Sequence, residues 1–524
     1  MNSEAPDTES GGRQVEKLVL SASKVSLDIR ATVRAIVLDA TLKAFDKRRQ
    51  ILSVVLSVLK DGGHFCRTGD GRGFYFAKSD RRLYDLDQQA FVHVLTAVSG
   101  LSPTEGEFRF VHAMLRADAA QSKPVEINSF AYFSPDRGVL AVSDGGPGVW
   151  IRERGDTWHH VWNGEQGLLF FTEPDAALWE PEFDATPEAL DWFLAQIPFA
   201  PHEELTVEDQ RAAYLTVLLQ LFFPCFKRTC VIPAFLGPQG SGKSTAMRIT
   251  GRFLIGPQFD VTGLRGDKED AFVVAVTNRL VCGLDNADSR IKWLEDDLAT
   301  YATRQRYQLR KLYTTNEEVS YLPRAFLMLS SRDPHFRRPD VAQRLLPFHF
   351  EQLAEYLDEA AIFDGLEKRR TAIWGALLNR LAELADALPA VKSPALKFRM
   401  ADFAAFGWRI FRAAGKESDW EKLLHRFEKA QTQFSGEGDG LIEALRILME
   451  QNGKVGPIEV GDLFRQCGAV AADRGLPLPR TAQGFGQKLT NMRRVIELEL
   501  NASFAEERGH QNRRTITVTA KTGK

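Results

Sequence analysis

One stretch constrains this chain's fold more than any other: VIPAFLGPQGSGKSTAMRI, residues 231–249. A short apolar run enters Gly237, Pro238, Gln239, Gly240, Ser241, Gly242, Lys243, Ser244 and Thr245, and the chain leaves in a helical pattern. This is GxxxxGK[ST] in the strand–loop–helix setting that the pattern requires. The glycines let backbone N–H groups turn inward onto phosphate oxygens. The helix that starts there adds its positive end. Lys243 is placed to reach the β- and γ-phosphates of a nucleotide, and Ser244 to hold Mg²⁺. The alternative, a chance glycine-rich turn, does not explain why strand, loop and helix signals agree.

A second acidic position follows at the right distance. In RLVCGLDNADSR, residues 279–290, Leu280–Leu284 reads as a buried strand with Asp285 at its C-terminal end. A carboxylate there can hold the Mg²⁺ shell. Asn286 stands where a nucleotide hydrolase commonly has glutamate. It can orient a water by hydrogen bonding but cannot take its proton. Phosphoryl transfer through a loose transition state depends on positioning and charge stabilisation, so asparagine does not by itself make the site inactive. Asp288 reads as a solvated turn or capping residue.

The 524 residues carry 67 Lys+Arg against 69 Asp+Glu, a net charge of -2, so a basic surface for nucleic acid has to be local. No apolar run spans a bilayer, because YLTVLLQLFFPCF is broken by Gln220 and Pro224. Residues 1–15 are polar, lack a signal-peptide pattern and are expected to be a disordered lead-in. Five scattered cysteines without a CxxC pair are expected to be core thiols in a reducing cytoplasm. Helical spacing marks 16–61, and short alternating strands mark 62–195 as a small α+β domain. Residues 196–352 alternate helix, apolar strand and loop, the order of a parallel α/β core. A helical subdomain follows at 353–435, and 436–524 reads as helices with a two-stranded ending.

The segment DDLATYATRQRYQLRKLYTTNEEVSYLPRAFLMLSSRDPHFRRPDVAQRLLPFHF, taken with GPQGSGKST, GLDN and RMADF (Arg399–Phe403), resembles the ATPase module of phage- and mobile-element-type primase-helicases. That module is an AAA+ domain related to superfamily-3 helicases, and the resemblance runs from about Thr206 to Phe411. It implies an α/β fold: an AAA+ P-loop parallel-sheet core, preceded by the small α+β domain and followed by the helical segment and a winged-helix domain. It also implies ATP and Mg²⁺ as cofactors, a homo-oligomeric ring such as a hexamer, and single-stranded or forked DNA as partner.

Residue by residue, Asp285 and Asn286 match the family's Asp-Asn. Arg310, Leu312, Tyr313 and Thr314 match its RxLYT block. Ser330 or Ser331 falls at the polar sensor, where Asn or Thr is common, and Arg344 matches the arginine that reaches the neighbouring subunit's nucleotide. The implied catalytic set is Lys243, Asp285, Asn286, Ser330 and Arg344. Relatives often carry glycines where this chain has Arg304-Gln305-Arg306, either a contact to DNA phosphates in a channel or a solvated surface turn. Arg310 and Lys311 precede a hairpin that projects into the pore in related helicases. Lys311 is a DNA-contact candidate, and Arg310 serves either DNA or the fold. Arg337 and Arg338 are candidates for the subunit interface.

At the C-terminus, Lys488, Arg493 and Arg494 on a helix, with Arg508, Arg513 and Arg514 on or near a wing, read as a DNA-binding winged helix. The alternative is a protein-binding module with solvated charges. In the N-terminal domain, His159 and His160 are neighbours on a strand, point to opposite faces and make poor joint metal ligands. Phe74, Tyr75 and Phe76 read as core and edge rather than a base-stacking platform. No paired acidic constellation for primer synthesis is present, so a primase belongs on a separate chain. Two functional readings stand: an ATP-driven DNA helicase or translocase in replication of a phage or mobile element, and a nucleotide-gated assembly switch with slow turnover. A metabolic P-loop kinase fits poorly with the sensor and the DVAQR block.

Overall fold

The computed structural model describes residues 28–203, 205–264, 269–287, 291, 293–310, 318–331, 336, 338–354, 358–436, 440–508 and 514–520. The expected lead-in at 1–15, Asp288, Lys311–Thr314, Arg337 and Arg513 lie outside them. The chain divides into two compact units: residues 1–130, 142–151 and 158–176, and residues 131–141, 152–157 and 177–524.

In the first unit the helix Ala44–Gly62 buries Ile51, Val55 and Leu59 at four-residue spacing, one stripe of its surface. The helix Gly106–Gln121 does the same with Phe108, Val111, Leu115 and Ala119. Beside them Gly63–Arg67, Gly73–Ala77 and Arg82–Asp85 form a three-stranded antiparallel sheet. Residues of the first helix share one core with Phe65 and Tyr75, so the break expected at 61/62 falls inside a packed unit. Phe74, Tyr75 and Phe76 are all buried, because both faces of the middle strand are covered.

The second unit is built on a five-stranded sheet, whose strands and flanking helices carry labels below. After helix α1 (Val207–Gln220) come β1 (Ile232–Leu236), α2 (Lys243–Leu254), β2 (Thr262–Gly263), β3 (Val281–Asp285), α3 (Leu294–Ala302), β4 (Phe326–Ser331), β5 (Leu345–His349) and α4 (Glu359–Ala387). The spatial order is β5-β1-β4-β3-β2, and every pairing is parallel. The strands are apolar runs without alternation, as burial on both faces demands: all of IPAFL in β1 and all of FLMLSS in β4 are buried. A capping box between Thr206 and Asp209 starts α1. Arg370 of α4 is 4% exposed, and its guanidinium donates to the carbonyls of Phe253 (3.1 Å) and Ala177 (3.2 Å). That ties the long helix to the C-terminal end of α2. After α3, Tyr307–Arg310 pairs antiparallel with Glu318–Tyr321, so Arg310 lies in the first strand rather than ahead of the expected hairpin, and Lys311 lies outside the described residues.

Residues 440–520 differ from the expected three helices and two strands. Four helices (Gly440–Asn452, Val460–Arg474, Ala482–Asn491, Arg493–Glu499) enclose a three-stranded antiparallel sheet, with Arg514–Ala520 between Lys454–Glu459 and Ala502–Arg508. Leu445, Leu463, Phe485, Ile496, Phe504, Ile516 and Val518 fill their common core. The strand Lys454–Glu459 escaped the sequence reading because Gly456 and Pro457 interrupt it.

Four of the five cysteines are buried, but Cys225 is exposed, against the expectation of five core thiols. No helix among the described residues is long and apolar enough to cross a membrane.

One buried carboxyl is out of balance. Asp297 in α3 is 8% exposed, and its Oδ2 has no hydrogen-bond partner. Burial, then Glu269, then Asp296, push it up from 3.8 to about 7. The folded state therefore holds a proton that the unfolded chain releases. Stability contributed this way is present in full below pH ~4 and is lost as pH rises toward 7. Asp297→Asn is expected to raise stability by about 2 kcal/mol at pH 8, with no gain below pH ~4. Chemical denaturation across that range checks it, and a gain that ignores pH sinks the assignment.

Candidate nucleotide site

The site forms where β1, β3 and β4 end. Their C-terminal ends meet because β4 lies between the other two, setting Ser330 opposite Phe235 of β1 and Leu329 opposite Leu284 of β3. The loop after β1 turns on residues that need glycine. Gly237 has φ 155°, and a Cβ there would sit 2.1 Å from the Phe350 carbonyl oxygen. Gly242, at φ 82°, is the left-handed residue from which α2 starts. Lys243, the first residue of α2, is 7% exposed. Its ammonium donates to the carbonyls of Gly237 (2.7 Å) and Pro238 (2.6 Å) and to Ser241 Oγ (3.0 Å). The charge is thus held at the mouth of the loop, at the start of a twelve-residue helix.

Asp285 and Ser330 are in direct contact. The Ser330 hydroxyl donates to Asp285 Oδ1 at 2.5 Å, and the Asn286 N–H reaches both Asp285 Oδ1 and Ser330 Oγ at 3.1 Å. Asn286 adopts φ 57°, a left-handed conformation that asparagine tolerates better than most residues. It is exposed at the strand end, where its side chain is available to a water. Of the two serines the sequence left open, Ser330 is the one on the acidic residue. Ser331 pairs with Leu236 one position further along.

One cavity of about 430 Å³ lies here. Gln239 to Thr245, Asp285 and Asn286 line it, together with the apolar Ala195, Pro198, Leu353 and Ile362. Arg248 and Glu359, which sequence reasoning missed, lie on its wall. Arg248 Nε donates to Asp260 Oδ1 at 2.7 Å, and that bond holds the Asp260 carboxyl below the usual carboxylate range. Nothing local marks Glu359, which lies 114 residues from the Thr245 hydroxyl it accepts from. The donor set fits a magnesium ion: Ser244 and Asp285 offer hard oxygens on one cavity, and Mg²⁺ takes one or two protein ligands with waters and phosphate oxygens. Among the described residues no cluster of three His, Cys, Asp or Glu could hold a metal. His160 bonds Asp144 at 2.9 Å.

The remaining sequence-derived residues lie apart from the cavity. Arg344 is buried, and its Nη1 contacts the Asp340 carbonyl (2.7 Å) and carboxylate (2.8 Å). The same carboxylate is held by Arg338, whose more exposed guanidinium also reaches Asp296. Arg304 has φ 50° and donates to the Lys227 carbonyl at 3.2 Å, which makes it part of the turn's own structure, whereas Arg306 is exposed. Lys488 is half-buried on its helix. Arg493 donates to the Phe504 carbonyl at 2.7 Å and lies over that residue's ring. Arg514 donates to the Gly486 carbonyl (3.0 Å) and Thr490 Oγ1 (2.6 Å) and pairs with Glu506. Arg493 and Arg514 thus tie strand to helix within their own module, although half of the Arg493 side chain stays exposed. The side chains of Arg310, Arg494 and Arg508 lie outside the described residues.

Strand, glycine loop, helix and a strand-end acid on a parallel sheet define a P-loop α/β protein. Residues 207–418 match the family described as the actinomycete integrative conjugative element replication protein, a span of less than half the chain. No curated protein matches. Among solved structures, the chain is similar to an apo structure of the NrS-1 C-terminal region, at 12% identity over 89% of this chain and 98% of that one, with a TM-score of 0.39. It is also similar to the SCCmec type IV Cch active helicase, at 12% identity over 87% of this chain and 92% of that one, with a TM-score of 0.41. With scores this low, neither likeness carries an argument about function.

Proposed function

We propose that the chain is a DNA-stimulated ATPase, a helicase or translocase serving replication of a phage or mobile element. The observation that carries the reading is the meeting of the P-loop and Asp285 in one cavity at the sheet's C-terminal edge, with Ser330 bonded to Asp285 from the buried side. The match of 207–418 to a mobile-element replication family supports it. The loop N–H groups and Lys243 hold the triphosphate, and Ser244 and Asp285 hold Mg²⁺. The ion, when bound, neutralises charge on the β- and γ-phosphate oxygens. Ser330 fixes Asp285, and Asn286 orients the attacking water by hydrogen bonding. Arg344 completes the site of a neighbouring subunit in a ring, taken as a hexamer. Residues 436–524 form a winged helix whose DNA contacts come from Lys488, Arg493, Arg494, Arg508, Arg513 and Arg514. Arg306, Arg310 and Lys311 track the strand, and a separate primase makes the primer.

Asn286 favours a second reading, a nucleotide-gated switch, because no base adjoins Asp285 in the chain. Steady-state hydrolysis with and without single-stranded DNA separates the two. A motor is expected to turn over at least about tenfold faster with DNA, and to lose that stimulation as salt rises and phosphate contacts weaken. Slow turnover indifferent to DNA leaves only the switch.

A further inference from the structure

The P-loop lines the cavity together with apolar groups that include Ala195, Pro198, Leu353 and Ile362. Glu359 lines it too; it is the first residue of α4, set in place by the Asp358 cap that accepts from Ala360 N at 3.0 Å. Glu359 and Ile362 are three residues apart and share a helix face. Glu359 accepts from Thr245, next to the phosphate loop, whereas Ile362 joins the apolar wall. A nucleotide with its phosphates at Lys243 and its base against Ile362 would place its sugar beside Glu359. A carboxylate accepts hydrogen bonds and donates none, which suits sugar hydroxyls and repels phosphates. Arg248, 3.7 Å from Glu359 Oε1, tempers that charge. Both described contacts fall on Oε1, so the lone pairs of Oε2 are available to a hydroxyl. An acidic side chain meets a ribose 2′-OH in the same way in dinucleotide-binding folds.

We propose that Glu359 reads the sugar: its carboxylate accepts a hydrogen bond from the ribose 2′-OH, and the cavity prefers ribonucleoside triphosphates to their 2′-deoxy counterparts. The inference rests on the nucleotide reading above. For a protein that acts among deoxynucleotides, such a contact keeps polymerase substrates out of the site.

The test is titration calorimetry of the full chain with Mg²⁺ and ATP, 2′-deoxyATP or inorganic tripolyphosphate, on wild type and Glu359→Ala. One hydrogen bond to a charged group corresponds to about tenfold in affinity. The wild type is expected to bind ATP about tenfold tighter than 2′-deoxyATP. Glu359→Ala is expected to bind the two alike and to bind tripolyphosphate at least as tightly as the wild type, which shows that the variant is folded and its phosphate cradle intact. Equal binding by the wild type, or a preference that survives in Glu359→Ala, overturns the sugar contact while leaving the nucleotide site standing. Failure of the wild type to bind either ATP or tripolyphosphate overturns both.

Discussion

Lys243→Ala is expected to reduce ATP turnover at least about 10³-fold, because it removes the one cation that the loop aims at the transferring phosphoryl group. The ammonium already sits on the carbonyls of Gly237 and Pro238 and on Ser241 Oγ, at the start of α2. Phosphate oxygens replace those acceptors when nucleotide enters, so the charge needs little rearrangement. Alanine keeps the helix but removes both the charge and the bracing of the loop. Two readouts separate these effects. Turnover reports the lost charge, and thermal unfolding without nucleotide reports the lost bracing. With nucleotide at 100 times its Kd, the wild type is expected to gain about 2.7 kcal/mol, and the variant little of it. Turnover that persists within about tenfold of wild type removes Lys243 from the chemistry.

The phosphate loop was legible because its chemistry demands contiguous residues: three glycines, a lysine and a hydroxyl within nine positions. Asp285 was legible as the acid ending an apolar strand. The choice between Ser330 and Ser331 was not, because neighbouring strand residues face opposite sides and only the register against β1 and β3 decides which one meets Asp285. The strand order is likewise a matter of non-local pairing, since β4 enters between strands that precede it in the chain. The same limit hid Glu359, whose role comes from where α4 begins in space. The surroundings of the clustered arginines were hidden for a different reason. A count of charges near the C-terminus does not show that Arg514 is held by Glu506 and Thr490, or that Arg493 lies on Phe504. Asp297 reads as an ordinary acidic residue at a helix start, and only its burial exposes the cost of its charge.

Arg344→Ala is expected to abolish turnover alone and to regain part of it when mixed with Lys243→Ala. The argument turns on Asp340, which two arginines share. Arg344 holds it from the buried side, and Arg338 holds it from the more exposed side while also reaching Asp296. If Arg344 swings toward a neighbour's nucleotide, Arg338 keeps Asp340 paired, so the move does not leave a lone carboxylate behind. A cation supplied in this way is worth about 10³–10⁵ in rate. In mixed assemblies, an Arg344→Ala subunit keeps its P-loop and a Lys243→Ala subunit keeps its arginine. Random mixing at equal amounts gives about a quarter of interfaces with both parts intact, one half times one half, and turnover is expected at about that fraction of wild type. No recovery on mixing, with both proteins assembled, places Arg344 in its own subunit as a strut for Asp340. In that case Arg344→Ala should instead lower the unfolding temperature, because the buried Arg344 side chain and its bond to the Asp340 carbonyl are lost. Arg338→Ala, tested the same way, then shows whether the exposed arginine on the same acid is the one that crosses the interface.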